Sequence, residues 1–167
     1  SGQAGCMSYD YVIAGGGSAG CVLAARLAEN PDISVCLVEA GGRGRDLFIR
    51  MPGGNGFVFG NPKLDWGYVT VPQEHLDGRQ IYFARGKALG GTSIVNGMIY
   101  MRGVAADYDH WRQIGLEGWG YDDVMPYFLR SECARDRRDD YHGIDGPLKT
   151  EAARNFGIID QAFIDAA

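Results

Sequence analysis

Gly15-Gly16-Gly17-Ser18-Ala19-Gly20 spells G-x-G-x-x-G between an aromatic and β-branched run and an Ala/Leu-rich segment. Tyr9–Ala14 reads as a buried strand that stops at the glycines. Ser18–Asn30 reads as a helix, with Val22, Leu23 and Leu27 near helical spacing and Pro31 just past its end. Ser34–Glu39 reads as a second apolar strand. Strand, glycine turn, helix and strand within about 30 residues make a βαβ unit. Its strands are expected to be parallel, joined by a right-handed crossover.

Each glycine has a physical task in such a unit. Gly15 makes the tight turn, Gly17 lets the backbone approach a pyrophosphate, and Gly20 lets the helix pack on the strand. The pyrophosphate then rests on backbone N–H groups at the positive end of the helix. Glu39 follows the last glycine by 19 residues and ends the second strand, where its carboxylate accepts hydrogen bonds from ribose hydroxyls. The same charge disfavours a 2′-phosphate and so NADP. NAD and FAD share the fingerprint. Ala40-Gly41-Gly42 continues with small residues rather than a new helix, unlike a compact NAD domain.

Composition narrows the partners. The chain has 167 residues and a net charge of −5, which disfavours nucleic acid and anionic membranes. No apolar run approaches the roughly 18 residues that span a bilayer. Ser1–Ser8 lacks a secretory signal, and residues 1–6 read as a cloning remnant. None of Cys6, Cys21, Cys36 and Cys133 falls in a C-x-x-C pair, and Cys21 and Cys36 read as small core residues of a protein in a reducing, cytoplasmic compartment. Glycine is the outlier: 26 residues, 14 of them between Gly41 and Gly103. That is more than double the usual share of about 7%, so the backbone there turns tightly or comes close to something bulky.

Arg43–Gln80 is irregular, yet its aromatics argue for an ordered segment. Thr70–Glu74 and Gln80–Phe83 read as short strands, Ala106–Ile114 and Tyr121–Cys133 as helices, and Arg135–Asp140 as a solvated turn. Asn155–Ala167 reads as an amphipathic helix with Ile158, Ile159, Ala162 and Phe163 on one face.

The second glycine-rich stretch is Ala84–Gly103. Gly90 and Gly91 remove side chains where backbone must approach a ligand or a strand, and Thr92, Ser93 and Asn96 offer polar groups beside the opening. By chemistry alone this is equally a cradle for a flat polar ring or a structural loop. Gly86–Asp109 resembles the signature of the glucose–methanol–choline (GMC) flavoprotein oxidoreductases, including Gly90-Gly91-Thr92-Ser93, Asn96, Tyr100, Gly103 and Asp109. Tyr11–Gly20 and the stretch from Asp65-Trp66 to Thr70-Val71-Pro72-Gln73 are similar to the same family, in its choline dehydrogenase-like branch. The resemblance covers about residues 9–165.

The resemblance implies an α/β fold: a Rossmann-like FAD-binding domain with a parallel sheet of the FAD/NAD(P)-binding type, incomplete without its C-terminal part. Residues 7–150 would form the N-terminal portion of that domain, with 43–80 as a cover over the cofactor and 151–167 as the start of a substrate-binding domain. Gly15, Gly17, Ser18, Ala19, Gly20 and Glu39 would bind the pyrophosphate and adenosine ribose. Ala88, Thr92, Asn96, Gly97, Met98 and Ile99 would line the pyrophosphate and flavin side. Trp66 reads either as part of the cover or as an ordinary packed aromatic. Some family members carry a flavin-linking histidine immediately before the motif asparagine. Val95 stands there, so a noncovalent FAD is expected.

The family's catalytic acid/base pair lies near the C-terminus of longer chains. None of His75, His110 and His142 matches it, so no catalytic residue is carried over, and the scattered histidines support no metal site. The chain is expected to be the N-terminal part of a longer enzyme, unable to turn over substrate without the remaining C-terminal polypeptide. In that enzyme a small-molecule alcohol would pass a hydride to flavin N5. These motifs select neither the alcohol nor the electron acceptor. Two other readings stand beside it: a non-catalytic FAD-binding module or subunit, and a family member with other chemistry, a hydroxynitrile lyase or a fatty-acid photodecarboxylase. A disulfide reductase would need a redox cysteine pair after the second strand, and an amine-oxidase-like protein an Arg-rich glycine motif that Gly41–Arg45 only faintly imitates.

Overall fold

A computed structural model describes residues 8–51, 53–153 and 157–167; the remnant read at 1–6 and the start of the helix read from Asn155 lie outside them. The chain divides into two compact units between Ile99 and Tyr100.

The first unit opens with the βαβ element. Strand β1 (Tyr11–Ala14) and strand β2 (Val35–Val38) pair in parallel, Tyr11 opposite Val35 and Ala14 opposite Val38. Their entries are pinned by Asp10, whose carboxylate accepts from the Ser34 N–H at 2.8 Å and hydroxyl at 2.6 Å. Helix α1 (Ser18–Leu27) joins them and packs on both strands. A side chain at Gly20 would collide with the Gly15 carbonyl oxygen, so only glycine lets the first turn of α1 lie this close to the strand exit. The helix stops three residues short of the expected Asn30, because Ala28 to Asn30 already form turn hydrogen bonds ahead of Pro31.

The strands are not buried as their composition suggests. Val12 is 65% exposed and Val38 53%. A parallel sheet buries its strands only when both faces are covered, and within this unit α1 covers one. Cys21 and Cys36 are accordingly half-buried.

The described residues of segment 43–80 form several short elements. Helix α2 (Leu47–Arg50) is capped by Asp46, which accepts from the Phe48 N–H at 2.9 Å. Phe48 stacks on Phe57 of a following 3₁₀ turn at 4.8 Å. Strands β3 (Tyr68–Val69) and β4 (Tyr82–Phe83) then form an antiparallel hairpin. The expected strand at Thr70–Glu74 is broken: pairing lapses after Thr70, where Pro72 has no N–H to continue it, returns as a single bridge from Gln73 to Arg79, and gives way to a 3₁₀ turn at Glu74–Leu76. A last 3₁₀ turn spans Gly91–Val95.

The second unit contains helices α3 (Ala105–Gln113), α4 (Tyr121–Ser131) and α5 (Ile158–Ala166). Asp107 and Asp123 cap the first two by accepting from the Val104 and Gly120 N–H groups. Tyr108 forms the centre of its core, edge-on to Trp111 at 5.4 Å and Phe128 at 5.7 Å. Where the helix reading ran on to Cys133, the chain instead becomes strand β5 (Glu132–Ala134), parallel to β6 (Leu148–Thr150). Buried Glu132 decides this switch. Its carboxylate is held by Arg102, the Thr150 hydroxyl at 2.7 Å, His142 Nδ1 at 3.2 Å and the Gly143 N–H at 3.3 Å. Burial alone would raise its pKa, but the Thr150, His142 and Gly143 hydrogen bonds and the Arg102 charge hold it below the ordinary carboxylate value. The apolar residues of α5 face solvent, with Ile158 90% and Phe163 77% exposed.

Candidate functional site

The first unit contains a cleft of about 890 Å³ beside the N-terminus of α1. Gly15, Gly17, Ser18, Ala19 and Gly20 line one side, with Glu39 and Thr92. The first helical hydrogen bond of α1 runs from Cys21 N–H to Gly17 O, which leaves the N–H groups of the preceding turn without intrahelical partners. Together with the helix dipole they make a seat for an anion.

The two glycine motifs meet here. Gly90 N–H donates to Gly16 O at 2.7 Å, and Gly17 and Gly90 form a parallel bridge. A Cβ on Gly91 would stand 2.7 Å from the Gly17 Cα, and Gly91 also has φ +56°, so the approach is open to glycine alone. A Cβ on Gly15 would meet nothing within 4 Å. The loop is thus closed against the second motif and open toward the cleft, as a backbone cradle for a diphosphate requires.

Glu39 lines the cleft with its carboxylate tied to the loop backbone. Its Oε2 accepts from Gly16 N–H at 2.7 Å and its Oε1 from Gly41 N–H at 2.8 Å. Each oxygen keeps a lone pair for a ribose hydroxyl. Thr92 joins the first-motif residues at the cleft. Ala88 does not: it is fully buried, bridged to Gly42. Asn96, Gly97, Met98 and Ile99 also lie off the cleft, in an exposed turn where Asn96 Oδ1 accepts from Met98 N–H at 3.0 Å and Met98 takes φ +58°. Val95, in the linkage position, is 5% exposed.

Trp66, Tyr68, Phe83 and Arg85 form the facing wall. Of these, only Trp66 is singled out by the sequence as part of the cover. The signal was present as alternation: positions 66 and 68, and 83 and 85, fall on one face of a hairpin. Asp65 holds this wall. It is 3% exposed and accepts from the N–H groups of Gly60, Gly67 and Arg85 and from the Tyr82 hydroxyl. Burial alone would raise its pKa, but the Gly67, Gly60 and Arg85 N–H groups hold it below the ordinary value. Trp66 N–H also donates to Arg85 O, and Lys87 N–H to Leu64 O.

His75 is exposed and does not line this cleft; in the second unit His110 is exposed and His142 serves Glu132. A groove in the second unit is lined by charges of both signs, among them Arg130, Arg138, Asp139 and Asp145, and its glycines, Gly143 and Gly146, do not open a helix. Among the described residues no group of three or more His, Cys, Asp or Glu is placed to hold a metal ion, and no helix is long and apolar enough to cross a membrane.

Known proteins share this frame. "Oxygen-dependent choline dehydrogenase" of Vibrio vulnificus is 48% identical over 160 residues, covering 95% of this chain and 29% of that protein. The protein of the same name in Xanthomonas campestris is 48% identical over 162 residues, with the same coverage. The chain therefore spans under a third of the length of the curated relatives it matches. The crystal structure of pyridoxine 4-oxidase from "Mesorbium loti" superimposes with a TM-score of 0.88 at 40% identity, covering 95% of this chain and 31% of that one. Formate oxidase of Aspergillus oryzae superimposes with a TM-score of 0.78 at 33% identity, covering 87% of this chain and 27% of that one. The motif that begins at Gly86 and the fingerprint at Gly15 are thus two parts of one inherited frame, and with the GMC oxidoreductase family model matching residues 9–167, the chain belongs to that family.

Proposed function

We propose that this chain supplies the N-terminal part of an FAD site in an enzyme that oxidises a small-molecule alcohol. The observation that carries the reading is the junction of Gly16 with Gly90 and of Gly17 with Gly91, beside the free N–H groups of α1. Gly15 and Gly17 let the backbone approach the diphosphate. Ser18, Ala19 and Gly20 offer it N–H groups, and Glu39 accepts from the adenosine ribose with its remaining lone pairs. Thr92 reaches the diphosphate from the second motif. Ala88 supports that loop from below, and Asn96, Gly97, Met98 and Ile99 serve the flavin side.

When bound, FAD supplies a hydride acceptor for the carbinol carbon. The chain's own residues bind and orient it, and segment 43–80 covers it. In this reading residues 7–150 belong to the FAD-binding domain, 151–167 begin the substrate-binding domain, and the groups that take the hydroxyl proton belong to the remaining polypeptide of the same enzyme. The relatives' names differ in what they act on, so the cofactor frame is what this chain has in common with them. Free thiols at Cys21, Cys36 and Cys133 favour a reducing, cytoplasmic location.

Attachment is noncovalent in this reading, because Val95 has no nucleophilic atom. The test is the visible spectrum of the purified protein before and after denaturation. Flavin bands that move to the supernatant are expected. A folded protein that takes up no added FAD would overturn the site, and flavin retained on the precipitate would overturn noncovalent attachment.

A further inference from the structure

The hairpin wall has a second property that the fingerprint does not contain. Trp66, Tyr68, Phe83, Arg85 and Gly86 line the cleft, and Gly67, Val69, Tyr82 and Ala84 do not. Tyr82 turns to the opposite face and donates to Asp65. Arg85 thus shares the cleft-lining side of the hairpin with Phe83, on which its guanidinium stacks.

Arg85 is held before any ligand arrives. Its backbone N–H donates to Asp65 at 3.1 Å and its carbonyl accepts from Trp66 at 2.9 Å. Its guanidinium lies 3.7 Å over the Phe83 ring, and Nη1 donates to Ala84 O at 2.7 Å. These contacts use one face and one N–H of a group with five donors. Among the described residues no carboxylate forms an ion pair with it, and it is the cationic side chain among those lining the cleft. The other charged lining residue, Glu39, is negative and engaged with the Gly16 and Gly41 N–H groups. Lys87 is stacked over Trp66 at 4.7 Å instead.

A dinucleotide brings two negative charges into a cleft that already holds a carboxylate. Helix α1 contributes about half a positive charge at its N-terminus. We propose that Arg85 is a cofactor-binding residue whose guanidinium pairs with the diphosphate across the cleft from the Gly15–Gly20 loop. Its planar fork suits phosphate oxygens, and the Phe83 stack removes the entropy that a free arginine would lose. This assignment rests on the FAD reading above.

The test uses the whole protein stripped of flavin, with variants Arg85→Gln, Arg85→Met and Arg85→Lys. FAD affinity is read from flavin fluorescence across a salt series, ADP and adenosine are run as competitors, and apoprotein melting is followed in parallel. Arg85→Gln and Arg85→Met are expected to weaken FAD and ADP alike by about tenfold or more, as loss of a charge-assisted hydrogen bond does, and to flatten the salt dependence. Adenosine competition is expected to stay unchanged, and Arg85→Lys to recover part of the ADP affinity. An unchanged FAD affinity overturns the proposal. So does a loss confined to FAD with ADP unaffected, which would move the guanidinium to the flavin end. Equal losses for ADP and adenosine in all three variants would reduce Arg85 to a structural residue. Wild-type protein that binds no FAD removes the FAD reading, and this assignment with it.

Discussion

Gly90 donates its N–H to the carbonyl of Gly16 at 2.7 Å, joining two motifs that lie 74 residues apart in the chain. One hydrogen bond of this kind contributes only about 1 kcal/mol net. Its consequence is geometric: it brings the loop before α1 against the Gly91–Val95 turn, with the cleft opening between them.

Replacing Gly91 by Ala tests that junction. The added Cβ meets the Gly17 Cα at 2.7 Å, and the left-handed backbone adds strain. A loss of about 1–3 kcal/mol in stability is expected, from overpacking against backbone. FAD affinity is expected to fall more than tenfold, because the cradle itself moves. Denaturant unfolding and flavin titration check the two effects separately, and wild-type affinity in Gly91→Ala would show that the motifs need not touch.

Glu39→Gln keeps the shape of the side chain and loses half its acceptors. Its amide group would face either the Gly16 or the Gly41 N–H, donor against donor. The expected cost is about 1–3 kcal/mol, the range for leaving a partly buried donor unpaired. Because Gly16 lies inside the fingerprint, FAD affinity is expected to fall with stability, which urea titrations with and without FAD would measure.

Asp65→Asn probes the wall opposite. Four donors converge on this buried carboxylate, more than an amide oxygen can serve. Stability is expected to fall by about 2 kcal/mol or more, with the near-ultraviolet circular dichroism of the stacked Trp66–Tyr68 pair reduced. An unaltered spectrum would mean that Trp66 and Tyr68 are held by other contacts.

Acid is expected to destabilise the chain through Asp65 and Glu132. Both pKa values are lowered on folding, from ordinary values of 3.8 and 4.5. Their contribution is therefore complete above those values and is lost as pH falls through the lower folded-state ones. The melting temperature measured from neutral pH downward is expected to fall most steeply below about pH 4.5. Glu132→Gln is expected to lower stability at neutral pH and to flatten that slope.

The βαβ unit, its parallel pairing, the turn at Gly15 and the close packing at Gly20 were legible in the sequence because they depend on local spacing: a strand, a turn that glycine favours, and a helix start. The family was legible because the run from Gly86 to Asp109 is long and specific. Local spacing was silent on contacts made across distance. It could not tell that Glu39 turns back to Gly16 and Gly41, that Ala88 is buried behind the loop, or that Asn96–Ile99 lie off the cleft. Alternation placed Trp66 with Tyr68 and Phe83 with Arg85, but it could not tell that this face turns to the cleft, because four hydrogen bonds to buried Asp65 hold the hairpin there. The switch from helix to strand at Glu132 has the same cause: its partners Arg102, His142 and Thr150 are distant in sequence, and together they outweigh the helical preference of the residues before it. Short-range sterics wrote the motifs into the sequence; long-range desolvation and charge pairing, which exist only once the chain is folded, decided how the motifs face one another.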